Sequence, residues 1–202
     1  MKFLFSTILL VLTLLSCSQF KAERQSSDQS DEKAMDITDN WLDRDTENTV
    51  NDIIKQINEH KGFQRYQAQH QGKPSLFIAE IQNRTAEAYF PIDDLNNEIL
   101  NKLSQTDDFI LVDAAARGKI LEEIQYQNDG MVDPATSKSI GKQTGADLLI
   151  FGSVQMKPET RDGKTVKQYS VDIRLTNLEK AVEVARTRSK VYKFSEKKLF
   201  GF

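Results

Sequence analysis

Apolar residues recur at Val50, Ile53, Ile54 and Ile57, the i, i+3, i+4, i+7 spacing that lays one apolar stripe along a helix. Asp43, Asp45 and Glu47 stand where a helix N-terminus favours negative charge, and Gly62 suits its stop. Ser75 to Ile81 (SLFIAEI) reads as a strand, with Asn83-Arg84-Thr85 opening its exit loop. A second helix follows Pro91 and carries Ile92, Leu95, Ile99 and Leu103 on one face. Phe109 to Val112 is a short buried strand. A third helix runs from Ala114 to Gln127 over Ile120, Leu121 and Ile124, and Asp133-Pro134 starts a fourth that stops near Gly145.

Period two then replaces period 3.6. Leu148 to Phe151 is a continuous apolar run, as in a strand buried on both faces. From Val166 to Asn177 the chain alternates: Tyr169, Val171, Ile173 and Leu175 on one side, Gln168, Ser170, Asp172 and Arg174 on the other. Asp162-Gly163 marks the turn before it. The last strand, Val182 to Tyr192, sets Arg186, Arg188 and Lys190 against Ala185, Thr187, Ser189 and Val191, a basic face that suits an edge strand. The first three strands are separated by helical crossovers and so should be parallel, and the last three should pair as hairpins. The expected fold is α/β (α+β): one mixed sheet, element order α-β-α-β-α-α-β-β-β, with helices packed on the sheet and part of the sheet facing water.

The N-terminus follows another pattern. Lys2 precedes an apolar stretch, Phe3 to Leu15, broken only by Ser6 and Thr13 and shorter than the roughly 20 residues of a spanning helix. It ends in Leu14-Leu15-Ser16-Cys17, and Cys17 is the single cysteine of the chain. This is the form of a bacterial lipoprotein signal. Residues 1–16 would be removed, and Cys17 would carry a thioether-linked diacylglycerol and an N-acyl chain; two or more chains give stable attachment. An ordinary secretory signal with an unrelated cysteine is the alternative. Ser18, in place of the aspartate that retains lipoproteins in the inner membrane of enteric bacteria, points to the periplasmic face of the outer membrane. Residues 17–36, poor in large apolar side chains, read as the lipidated N-terminus and a flexible tether. Its root-mean-square extension would be on the order of 25 Å, and about 70 Å drawn out. Residues 37–202 form the globular domain.

A net charge of −3 gives no support to nucleic-acid binding. With Cys17 lipidated, no disulfide forms within a monomer, the expected state. Ser139-Ile140-Gly141-Lys142 and Ser195 to Lys198 match S-x-x-K, but the partner elements of that chemistry are missing. Gly141 to Gly145 lacks the upstream glycine and the Lys-Thr adjacency of a phosphate loop. His60 and His70 have no metal-like spacing and read as solvated surface. No catalytic or metal site is expected, and no cofactor beyond the lipid on Cys17.

One resemblance goes further than these patterns. Glu122 to Thr136 (EEIQYQNDGMVDPAT) followed by Ile140 to Gly152 (IGKQTGADLLIFG) resembles the LpoB family, lipoprotein activators of penicillin-binding proteins. Asn40 to Asp45, Phe77 to Thr85 and Phe109 to Asp113 fit the same family in the same order. The resemblance implies a non-enzymatic outer-membrane lipoprotein whose domain, related to the N-terminal domain of TolB, docks on a bifunctional penicillin-binding protein. It would stimulate glycan polymerisation and peptide cross-linking. Two features depart from the family: the tether is short and nearly free of proline, and the last strand lacks the tryptophan expected near Val184-Ala185. The competing reading is a structural or secretion-associated envelope lipoprotein with a TolB/CsgG-like domain. For the docking surface, Tyr126 and Met131 are one candidate, unless they cap the core between the third and fourth helices. The basic face of Arg186, Arg188 and Lys190 is the other.

Overall fold

The computed structural model describes residues 25–112 and 145–197. The signal segment, Cys17, the helices expected over 114–127 and after Asp133, and Tyr126 and Met131 lie outside the described residues. Among the described residues four helices precede or interrupt the sheet: α1 (Ser27–Ile37), α2 (Asp43–Glu59), α3 (Lys61–Gln69) and α4 (Ile92–Gln105). The strands are β1 (Ser75–Ile78), β2 (Gln82–Asn83), β3 (Ile110–Leu111), β4 (Leu148–Arg161), β5 (Lys164–Asn177) and β6 (Val182–Glu196). They form one sheet in the order β3-β1-β4-β5-β6, with β2 also on β4. The expected split holds: β1 runs parallel to β3 and β4, while β4, β5 and β6 pair as antiparallel hairpins.

The alternation read from β5 carries the main core. Tyr169, Val171, Ile173 and Leu175 are all buried, beside Leu148, Ile150 and Val154 of β4. They pack under Val50, Ile53 and Ile57 of α2 and Leu95, Ile99 and Leu103 of α4. Successive strand residues point to opposite faces, so Phe77 and Leu149 join Ala79, Ala146 and Leu178 in a second buried cluster on the other side. At Asp162-Gly163 the left-handed backbone (φ 52° and 75°) makes the two-residue turn that the β4–β5 hairpin requires.

Three local expectations differ from the structure. The strand expected over 75–81 stops at Ile78, because Asn96 of α4 takes over the main chain of Ile81. Its Oδ1 accepts the Ile81 N–H at 2.7 Å, and its Nδ2 donates to the Ile81 carbonyl at 3.2 Å. Gly62 does not stop the first helix. α2 ends at Glu59, and Gly62 lies inside α3, where an added Cβ would sit 2.0 Å from the Val184 carbonyl oxygen of β6. Only glycine lets that helix seat so close to the strand. Finally, the later half of the stretch expected to be flexible tether is helical. In α1, Asp31 is buried and its carboxylate accepts the Arg44 N–H of α2 at 3.1 Å.

Candidate functional site

The distal half of the β5–β6 hairpin has two unlike faces. On the inner face Trp41 wedges between Phe90 and Tyr169, with ring centroids 5.1 and 5.2 Å away, and its indole N–H donates to Thr46 at 2.8 Å. The Tyr169 hydroxyl lies 2.9 and 2.8 Å from the two carboxylate oxygens of Glu87. Lys167, one strand repeat further, pairs with Glu87 and Asp39, both at 2.9 Å. Ser195 of β6 donates to Asp39 at 2.6 Å, and Lys193 pairs with Asp45, which also caps the start of α2 by accepting the Leu42 N–H.

Protonation follows from these contacts. The Ser195 and Lys167 donors hold the Asp39 carboxyl below its ordinary value. Burial and the Glu87 carboxylate push the Tyr169 hydroxyl far up, so it stays neutral and donates. Burial pulls Lys167 down, but Glu87 and Asp39 outweigh it and keep the ammonium charged. This half-buried network fastens the 38–45 and 84–91 connections to the sheet.

The outer face of the same strands carries no such cover among the described residues. Cross-strand pairs Val166–Phe194 and Gln168–Tyr192 set an apolar strip there, with Tyr192 60 % and Phe194 61 % exposed. Exposed aromatic side chains of this kind are enriched in the cores of protein interfaces. The basic face expected from Arg186, Arg188 and Lys190 lies on this side, but its charge is largely spent. Arg186 binds Glu183 and Arg188 binds Asp172, each at 2.6 Å. Lys190 has no ion-pair partner among the described residues. The strand expected from sequence ends at Tyr192 and so leaves Phe194 and the strip out. The alternation in fact continues to Glu196, and its polar face turns aromatic at Tyr192 and Phe194.

The histidines are not simply solvated. Both are half-buried along a cleft of about 810 Å³ between α3, the start of β4 and the β5–β6 connection. His60 Nδ1 accepts the Gly62 N–H at 3.0 Å and so caps α3. His70 stacks on Tyr66 at 5.3 Å and approaches Asp147, which in turn accepts from the Ser75 N–H and hydroxyl. Burial and the Asp147 charge push the Tyr66 hydroxyl up to about 12, so it remains neutral. These contacts tie β1 to β4. Ser195, half of the second S-x-x-K match, is held by Asp39. Among the described residues no three metal-ligating side chains converge, and no helix is long and apolar enough to cross a membrane.

No curated protein sequence matches the chain. Among solved structures, the LpoB C-terminal domain from Salmonella enterica matches at 13 % identity and TM-score 0.46, over 71 % of this chain and 94 % of that one. The LpoB C-terminal domain from Escherichia coli matches at 14 % identity and TM-score 0.46, over 73 % and 98 %. Lipoprotein GNA1162 from Neisseria meningitidis matches at 17 % identity and TM-score 0.43, over 60 % and 84 %. All three are distant likenesses. The family model of the peptidoglycan-synthase activator LpoB, by contrast, matches residues 45–186, from the first turn of α2 into β6, and the chain belongs to the LpoB family.

Proposed function

We propose that this protein is a non-enzymatic outer-membrane lipoprotein that binds and activates a bifunctional penicillin-binding protein and so regulates cell-wall synthesis. The observation that carries the reading is the family match across residues 45–186. Lipid on Cys17 holds the protein to the periplasmic face of the outer membrane. Docking uses the outer face of β5 and β6, where Val166, Tyr192 and Phe194 offer apolar contact inside a rim of paired charges. The segment with Tyr126 and Met131 supplies a second contact.

Reach constrains this arrangement. With Ser27–Ile37 helical and Asp31 bonded to Arg44, only residues 18–26 separate the lipid from the docked domain. Even fully extended they span at most roughly 30 Å. The synthase must therefore project toward the outer membrane, or α1 must release from α2 to lengthen the tether. Capture from detergent-solubilised membranes with the full-length protein tests the reading. A penicillin-binding protein is the expected catch, lost when Phe194→Asp is introduced. Capture of an outer-membrane assembly with no synthase would favour the secretion-associated reading instead.

A further inference from the structure

Among the described residues β6 is the edge of the sheet, so alternate residues turn their N–H and C=O away from β5. Two contacts fix the phase. The Lys197 N–H donates to the Gly163 carbonyl at the β4–β5 turn, so odd positions face inward. Arg188 faces outward: its N–H donates to Gln56 Oε1, and its carbonyl accepts from Gln56 Nε2, both at 3.1 Å.

The first half of this edge is therefore closed. Gln56 occupies Arg188, and α3 lies on the Val184 carbonyl at Gly62. Past Arg188 the outward groups of Lys190, Tyr192 and Phe194 have no hydrogen-bond partner among the described residues. Open edges are normally blunted by a bulge, a proline or like charges. Here the bulge lies at the other end, against Leu175 and Thr176, and the strand has no proline. Its exposed charges are of opposite sign: Lys190 at one end of the open stretch, Glu196 at the other.

We propose that two copies of this protein pair edge to edge through Lys190 to Glu196, antiparallel, with Lys193 on the two-fold axis. That alignment sets Lys190 opposite Glu196 and Tyr192 opposite Phe194, each pair occurring twice. It also brings outward main-chain groups face to face, so the ladder closes. Centring on Tyr192 instead would oppose Glu196 to Arg188, whose main chain Gln56 already fills. Centring on Phe194 would oppose Tyr192 to Glu196 and lose both complementary pairs. The two Lys193 side chains meet at the axis on the inner face, but each is neutralised by Asp45 of its own copy. The existing Lys164–Glu196 contact is half-exposed at 3.5 Å and costs little to share. The paired sheets keep their outer faces open on one side and place the two apolar strips next to each other. This inference stands apart from the identity of the synthase, and it replaces the monomer expected from sequence.

Sedimentation of the full-length protein in detergent, over a wide concentration range, tests it. A monomer–dimer equilibrium is expected. Lys190→Glu should weaken it about tenfold, through two lost pairs and two new repulsions, and Lys190→Glu with Glu196→Lys should restore it. Tyr192→Pro removes an outward N–H without touching the β5 ladder and should abolish the dimer. A protein that stays monomeric throughout, or a dimer indifferent to all three variants, overturns the proposal. So does a monomer in which Tyr192→Pro removes synthase capture, because the edge would then belong to the synthase.

Discussion

Neighbouring residues of one hairpin have opposite fates. Lys167, Tyr169, Lys193 and Ser195 face inward and are held by Glu87, Asp39 and Asp45, while Val166, Gln168, Tyr192 and Phe194 face outward. Beside Trp41, Phe90 and Tyr169, paired charges help to hold the covered face, while Tyr192 and Phe194 stand in water. Burying a lysine is tolerable only when its charge is paired and bonded, so the inner face is sensitive to every partner. Exposed aromatics contribute little to folding, so their value lies in what they touch. Stability and function should then separate cleanly by face.

The largest effect should come from breaking the inner face. Glu87→Ala leaves the Tyr169 hydroxyl and one side of Lys167 without an acceptor, and should cost about 2 kcal/mol in chemical denaturation. Gly62→Ala forces α3 away from Val184 and should cost roughly 1–3 kcal/mol. Phe194→Asp belongs to the other face. It should change stability by no more than about 0.5 kcal/mol, yet weaken synthase binding at least about tenfold if Phe194 anchors the interface, as read by titration against the purified synthase.

Much of this contrast was legible in the sequence, and the reasons are local. The Tyr169-Val171-Ile173-Leu175 alternation and the Asp162-Gly163 turn act over neighbouring residues, so pattern alone placed β5, its buried face and its hairpin. The family was also legible, because the central motif is long and specific. Glu87 was not, since a loop carboxylate reveals its partners only when β5 is brought beneath it. Gly62 read as a helix stop because its true reason, the Val184 carbonyl, lies far along the chain. Asp31 and α1 went unseen for a similar reason: a polar segment gives no periodic apolar signal, and its contact is one bond to the Arg44 main chain.

Acid should loosen the inner face only well into the acidic range. Asp39 is held below its ordinary 3.8, so its contribution is complete above that value and is lost as pH falls through the lower folded value. Thermal unfolding followed from neutral pH down to about pH 3 should show Asp39→Asn flattening the acid limb. A smaller gain is available where the backbone is strained. Ala181 sits at φ 53° in the β5–β6 connection, and Ala181→Gly should stabilise by about 0.5 kcal/mol, with synthase binding unchanged.

The separation of faces is tested most directly by glycan polymerisation by the purified synthase in the presence of the full-length protein. Phe194→Asp should abolish stimulation while its unfolding curve overlays that of the parent protein. Ala181→Gly, which leaves the outer face untouched, should stimulate as the parent does. Full stimulation by a folded Phe194→Asp protein would contradict the account, because the exposed strip would then have no part in activation.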